Sequence, residues 1–147
     1  MVKDISDPFN LERFKQAQDP MYHKVVAELE NGFKQTHWIW FIFPQIDGLA
    51  QSLTAKKYAI KSKDEAIAYL DDRLLAGRLE QCCGLLLNIT SSNAREILGH
   101  PDDLKLCSSM TLFASISNND STYHKVLQQL YNSEMDALTM RQLKEFV

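Results

Sequence analysis

The segment that decides the fold of this chain reads Thr36-His37-Trp38-Ile39-Trp40-Phe41-Ile42-Phe43-Pro44-Gln45. It contains both tryptophans of the protein together with two phenylalanines, and its apolar residues follow neither a helical nor a strand period. Most of such a run must be buried, so we expect it either in the centre of the core or in the apolar wall of a pocket that has a few polar groups. The residues alone leave both alternatives open.

Length and composition indicate a soluble protein with one domain. The chain has 147 residues, of which 45% are hydrophobic and 24% are charged, and its formal net charge is −3. This length suits one hydrophobic core, so we predict a single domain over residues 1–147. The net negative charge argues against a nucleic-acid partner. The longest apolar run is far shorter than the roughly 20 residues of a membrane span, so we expect no membrane partner.

Cysteine usage and missing motifs restrict the chemistry further. Cys82, Cys83 and Cys107 suit neither a disulfide framework nor a zinc site. The chain has no His-x-x-x-His pair, P-loop or G-x-G-x-x-G motif, so we expect no metal ion and no cofactor. Reduced thiols and the absence of a secretory apolar segment at the start predict a cytoplasmic protein.

Helical periodicity and helix-boundary signals run through nearly the whole sequence. Ser62 and Glu65 match a capping box. A helix within the aromatic run must end before Pro44, because the residue before a proline is disfavoured in the helical conformation. The segment 73–89 has the widest apolar arc, which predicts that it is the central helix. Only residues 57–60 would suit a short strand. We therefore predict a mainly α fold, a single compact multi-helix domain.

A second segment, residues 99–113, combines acidic, basic and hydroxyl residues on a predicted apolar helix. Asp102 and Asp103 stand at the helix start, where carboxylates complement the helix dipole and can cap free amides. Lys105 shares a helix edge with Asp102, and three hydroxyl residues follow: Ser108, Ser109 and Thr111. Hydroxyls on a helix also bond to the carbonyls of their own helix, so a structural role competes with a ligand-binding one.

These two segments supply the candidate site residues. The predicted ligand-binding residues are Trp40, Phe43, Gln45, Lys105, Ser108, Ser109 and Thr111. The aromatic rings would stack on a planar group, and the glutamine would bond its edge. The lysine and the backbone amides at the helix start would hold phosphate or ribose oxygens. The catalytic candidates are His37, which would move a proton, and Asp102 or Asp103, which would orient water or stabilise an oxocarbenium-like centre.

Several motifs also carry a family resemblance. They are Asp7-Pro8-Phe9-Asn10-Leu11, the run from Thr36 to Gln45, and Pro101-Asp102-Asp103-Leu104-Lys105 with Ser108-Ser109-Met110-Thr111-Leu112-Phe113. The chain resembles, over about residues 7–143, the uncharacterised bacterial family known as domain of unknown function 1810. The resemblance implies a small, mainly helical domain with no assigned activity. Some members carry the label calpastatin, but that inhibitor is a disordered repeat protein, unlike this apolar and periodic sequence.

Two functions of different class fit the sequence. We favour a small-molecule site, for a nucleotide or an ADP-ribose-like compound, where the aromatic run meets the helix that begins at Asp102. If this site is catalytic, N-glycoside hydrolysis suits its residue types best, by analogy with helical proteins that process ADP-ribose and related N-glycosides. The alternative is a non-catalytic protein-interaction module whose exposed apolar face binds a partner or, as a homo-oligomer, a second copy. The sequence does not decide whether the protein is an enzyme.

Overall fold

A computed structural model describes residues 6–91 and 93–145, and these residues form ten helices and no strand. The helices are α1 (Glu12–Gln18), α2 (Tyr22–Glu30), α3 (Ile39–Ile42), α4 (Leu53–Tyr58), α5 (Lys63–Asp71), α6 (Arg73–Leu87), α7 (Ala94–Leu98), α8 (Asp102–Ser115), α9 (Thr122–Tyr131) and α10 (Ala137–Glu145). An isolated parallel bridge joins Ile46 and Ile60. The prediction of a mainly α, single-domain fold is confirmed. Of the range predicted for the domain, residues 1–5, 92, 146 and 147 lie outside the described residues.

Local side-chain chemistry sets several helix boundaries. Ser62 Oγ accepts a hydrogen bond from the Glu65 amide at 3.0 Å, so α5 begins where the capping-box motif predicts. The Glu65 carboxylate does not return to Ser62; it accepts the Lys61 amide at 2.9 Å and pairs with Arg13 at 2.6 Å. The end of α2 is marked by Gly32, whose φ of +77° suits glycine because it has no Cβ.

The sequence does not predict α4, and the segment allowed as a short strand overlaps its last residues. Ser52 Oγ caps this helix by accepting the Ala55 amide at 3.1 Å. Within α4 only Ala55 is buried, and Leu53 is 87% exposed. Because the helix has no apolar stripe, hydrophobic periodicity could not reveal it.

Among the described helices of seven or more residues, α8 has the largest buried fraction, and it packs against α3, α7, α9 and α10. Eight of its 14 residues are buried, against five of 15 in α6. The prediction that the segment 73–89 is the central helix is therefore wrong. The wide apolar arc of α6 faces solvent in part, and Leu74 on that helix is exposed.

The apolar residues of the aromatic segment lie in the core, with one exception. Trp38 and Phe43 have no exposed surface, and their ring centroids lie 6.2 Å apart. Between them, α3 buries three of its four residues and leaves Trp40 half-buried. Both alternatives thus apply to different residues: most of the run fills the core, and Trp40 has surface available for a pocket wall.

The carboxylate of Glu28 organises the loop between α2 and α3. It accepts hydrogen bonds from the amides of Gln35 and Thr36 at 2.7 and 3.0 Å, from the Thr36 hydroxyl at 2.6 Å, and from the Trp38 indole N–H at 3.0 Å. Burial alone would raise the pKa of Glu28, but these bonds to the charged form outweigh burial and lower the pKa to about 2. The carboxylate therefore stays ionised and satisfies the most buried indole of the protein.

The last described helix, α10, holds the loop that follows the aromatic segment. Gln142 Nε2 donates to the Asp47 carbonyl at 2.9 Å across 95 positions of the chain. At the adjacent Gly48, φ is +97°, and a Cβ atom there would collide with the Gln142 amide. Only glycine allows both this backbone conformation and this close approach.

Replacement of Glu28 tests its role in the loop. We expect Glu28→Gln to lower the free energy of unfolding at pH 7 by on the order of 2–3 kcal/mol, because a neutral amide cannot accept all four bonds. The folded-state pKa of about 2 lies below the ordinary value of 4.5, so the carboxylate stabilises the fold above about pH 4.5 and loses this effect as the pH falls towards 2. Urea unfolding followed by circular dichroism at several pH values measures both effects.

The matched control is Glu30→Gln, an exposed residue on the same helix. It should change the free energy of unfolding by less than about 0.5 kcal/mol. If Glu28→Gln is as stable as this control, or loses stability with acid as steeply as the original protein does, the carboxylate does not hold the loop.

Candidate functional site

The first turn of α8 places one carboxylate between two lysines. Asp102 Oδ2 lies 2.8 Å from Lys34 Nζ, and Asp102 Oδ1 lies 3.8 Å from Lys105 Nζ. Lys34 is held here by its backbone, since its amide donates to the Ile97 carbonyl at 2.8 Å. The Lys34 side chain is 5% exposed and that of Lys105 is 22% exposed. The buried lysine is therefore tightly paired, and the more exposed one is paired only loosely.

Each of these lysines also lies over an indole ring. Lys34 Nζ is 5.1 Å from the ring centroid of Trp38, and Lys105 Nζ is 5.3 Å from that of Trp40. A cation over an indole face is attracted by about 0.5–2 kcal/mol, more when it is desolvated. Lys34, Trp38, Trp40, Asp102 and Lys105 thus form one connected group, called the lysine–indole cluster below.

Two buried polar atoms on the elements of this cluster have no hydrogen-bond partner among the described residues: Trp40 Nε1 and Ser109 Oγ. Ser109 is four residues after Lys105, so both lie on one face of α8. A buried polar group without a partner costs about 1–3 kcal/mol, and such groups are rare in folded proteins. Trp40 on α3 and Ser109 on α8 therefore each have hydrogen-bonding capacity that the described residues do not use.

The other two hydroxyls of α8 lie away from the cluster. Ser108 Oγ donates to the Leu104 carbonyl at 3.1 Å. Thr111 Oγ1 donates to the Cys107 carbonyl at 2.8 Å and accepts the Asp136 amide at 2.8 Å. An α-helix turns by about 100° per residue, which carries positions 108 and 111 towards the connection between α9 and α10. Ser108 and Thr111 thus have structural bonds, and the structure does not bring them to Trp40.

Three other predicted residues do not join the lysine–indole cluster. His37 is exposed and makes no hydrogen bond or ion pair within the described part of the chain. The ring of Phe43 has no exposed surface. Gln45 is half-buried, and its carbonyl accepts the Ile60 amide at 2.8 Å next to the isolated bridge. Of the predicted site residues, Trp40, Asp102 and Lys105 are those that the structure brings together, and Ser109 lies one helical turn after Lys105 on α8.

Asp103 has partners separate from those of Asp102. Its Oδ1 atom lies 2.9 Å from Nδ1 of His100. The backbone amides of residues 103–105 donate to the carbonyls of Gly99 and Pro101, and no side chain caps α8. These three amides are therefore not free to bind a phosphate, and neither aspartate caps the helix as the sequence suggests.

Sequence reasoning missed Lys34, the most buried charged member of the cluster. It stands in the loop just before the aromatic segment, where no periodic pattern marks it, and its partner Asp102 is distant in the chain. A lysine adjacent to an aromatic run, in a chain with an acidic pair elsewhere, is the only signal that could have indicated it.

Other kinds of site find no support in the described residues. Within residues 6–91 and 93–145, no group of three or more histidine, cysteine, aspartate or glutamate side chains is arranged to hold a metal ion. Among the helices described, none is long and apolar enough to cross a membrane.

Fold and sequence now define the class of protein. It is an all-α domain in which the aromatic segment of α3 meets the polar start of α8. The family described as "Protein of unknown function (DUF1810)" matches residues 8–143, and the chain belongs to this family. The resemblance stated from the motifs is thereby confirmed.

A solved structure shows the same fold. The conserved hypothetical protein Rv1873 from Mycobacterium tuberculosis is 46% identical to this chain, with a TM-score of 0.91. The match covers 94% of this chain and 99% of the mycobacterial chain. No curated protein matches the sequence. These comparisons establish the family and the fold, and the family's function is unassigned.

The unpartnered hydroxyl of Ser109 gives a stability test of this geometry. We expect Ser109→Ala to leave the free energy of unfolding unchanged or raise it by up to about 1 kcal/mol, because it removes a buried polar atom that has no bond in the described fold. Thr111→Val is the comparison, since it leaves the Asp136 amide without its acceptor and should cost about 1–3 kcal/mol. Urea unfolding measures both. A loss in Ser109→Ala as large as in Thr111→Val would mean that the hydroxyl is already bonded.

Proposed function

We propose that the lysine–indole cluster binds a small anionic molecule with a planar group, of the nucleotide or ADP-ribose class. The position of Lys105 carries this proposal. Its ammonium is 3.8 Å from Asp102, whose other oxygen is held by Lys34 at 2.8 Å. Two ammonium groups share one carboxylate, so the cluster has one positive charge that its own members do not neutralise. A phosphate group is a suitable counterion for this charge.

Trp40 would supply the aromatic surface. It is half-buried, in contrast to the fully buried Trp38, so part of its indole can meet a ligand. Lysine has a flexible stem, and Lys105 can move from the ring centroid to a phosphate while the planar group of the ligand takes its place on the indole. Stacking of a base on an aromatic ring contributes about 1–3 kcal/mol.

The geometry gives less support to hydrolysis of an N-glycoside at this site. General acid–base catalysis needs its groups within hydrogen-bond reach of the same reacting atoms. His37 contacts neither Asp102 nor Asp103, and those two carboxylates are engaged by the lysines and by His100. The proposal is therefore binding, without a catalytic step.

Thermal unfolding with a panel of nucleotides, ADP-ribose, nicotinamide cofactors and ribosides tests the proposal. A ligand at about 100 times its dissociation constant stabilises the folded state by about 2.7 kcal/mol. For a domain of this size the melting temperature should rise by roughly 5–11 °C. We expect phosphorylated compounds to give this rise and unphosphorylated ribosides to give little, because the unmatched charge of Lys105 selects anions.

Variants then locate the binding site. Lys105→Met and Trp40→Ala should abolish the rise, while Lys125→Met, which removes an exposed lysine on α9, should keep it. Each variant is compared with its own melting temperature without ligand, so a change in stability is not mistaken for a change in binding. If a phosphorylated compound still stabilises Lys105→Met, its site is elsewhere. If no compound in the panel stabilises the original protein, the nucleotide class is wrong.

A further inference from the structure

A groove lies between α8 and the connection from α9 to α10, with a volume of about 390 Å³. Its lining includes Leu104, Cys107, Glu134, Met135 and Asp136. Leu104 and Cys107 lie on a face of α8 that is about 160° around the helix axis from the face with Asp102, Lys105 and Ser109, at about 100° per residue. The groove is therefore separate from the lysine–indole cluster and independent of the function proposed for it.

The groove brings large apolar side chains to the surface. Leu104 is 56% exposed and Met135 is 39% exposed, and Leu138, next to the lining residues, is 54% exposed. Scattered single apolar residues are common on surfaces, but apolar residues gathered around a concave surface are typical of interaction sites. Methionine suits such a surface because its flexible thioether adapts to different partners.

The charged side chains that line this groove have one sign. Its lining includes Glu134 and Asp136 and contains no lysine or arginine. Burial, together with the carboxylates of Asp136 and Glu134, raises the pKa of the Cys107 thiol to about 11, as expected where a second anion is disfavoured.

Asp136 and Glu134 differ in how free their charges are. Asp136 Oδ2 accepts the Thr139 amide at 2.9 Å and the Thr139 hydroxyl at 2.7 Å, so it is committed to the start of α10. Glu134 is exposed, and its carboxylate makes no hydrogen bond or ion pair within residues 6–91 and 93–145. Glu134 is thus the carboxylate available to a cationic partner.

We infer that this groove binds a basic amphipathic peptide segment of a partner protein. Apolar side chains of the segment pack against Leu104 and Met135, and its lysine or arginine side chains pair with Glu134. Charge complementarity favours this partner, because the carboxylates of Glu134 and Asp136 attract cationic side chains and repel nucleic acid and anionic lipid surfaces. A second copy of this chain fits less well, because the net charge is −3 and Lys56-Lys57 is its only adjacent basic pair.

The test uses two synthetic peptides of about 14 residues with leucines at helical spacing. One carries lysine at every polar position and the other carries glutamate there. Fluorescence anisotropy of the labelled peptides measures binding. The lysine peptide should bind saturably, and the glutamate peptide should bind at least about tenfold more weakly. Equal binding of the two, or no binding of either, would overturn the inference.

Substitutions and one site-specific readout place the peptide in the groove. Leu104→Ser should weaken binding of the lysine peptide about tenfold and Glu134→Gln several-fold, while Leu53→Ser, at an exposed leucine of α4, should not change it. Cys82 and Cys83 are buried, so Cys107 is the thiol that an alkylating reagent reaches first, and the lysine peptide should slow its alkylation. The inference is contradicted if Leu104→Ser does not change the affinity for the lysine peptide and the peptide does not slow alkylation of Cys107. A dimer in sedimentation that Leu104→Ser dissociates would assign the groove to a second copy instead.

Discussion

The structure depends on one ionised carboxylate in the loop between α2 and α3. A tryptophan in the middle of a core must bond its indole N–H, and here Glu28 supplies that bond to Trp38 while it also binds the loop backbone. The fixed loop sets the start of α3 and so leaves Trp40 at the edge of the core. It also carries Lys34 to Asp102. The lysine–indole cluster is thus a consequence of how the fold satisfies its most buried indole.

The features of the fold that depend on neighbouring residues could be predicted from the sequence. The cap at Ser62 and the end of α3 before Pro44 follow from local chemistry and local sterics. Features that depend on which other helices pack against a helix could not be predicted from the sequence. The exposed helix α4 has no apolar stripe that a sequence could show. The wide apolar arc of α6 shows how apolar that helix is, but it does not show how much of the helix other elements cover.

The same distinction applies to the candidate site. The aromatic run and the helix from Asp102 are distinctive as sequences, and the structure does bring Trp40 and Lys105 into contact. Ser108 bonds to the Leu104 carbonyl, while Ser109 has no hydrogen-bond partner among the described residues. The surroundings of each hydroxyl depend on how α8 is rotated relative to its neighbours, and one sequence cannot give that rotation. Lys34 depends on a tertiary contact with a distant residue, and no local pattern encodes that.

The bond between Gln142 and Asp47 has a consequence for the order in which the chain can fold. The loop at Asp47 and Gly48 is synthesised 95 positions before the side chain that holds it. During translation the early helices can form and Ile60 can bind the Asp47 amide, but the Asp47 carbonyl lacks its Gln142 partner until α10 has left the ribosome. Closing so long a span costs chain entropy that only a largely assembled core can offset. A contact of this kind makes α10 the element that completes the loop, so a nascent chain halted before α10 would lack the side chain that binds the Asp47 carbonyl.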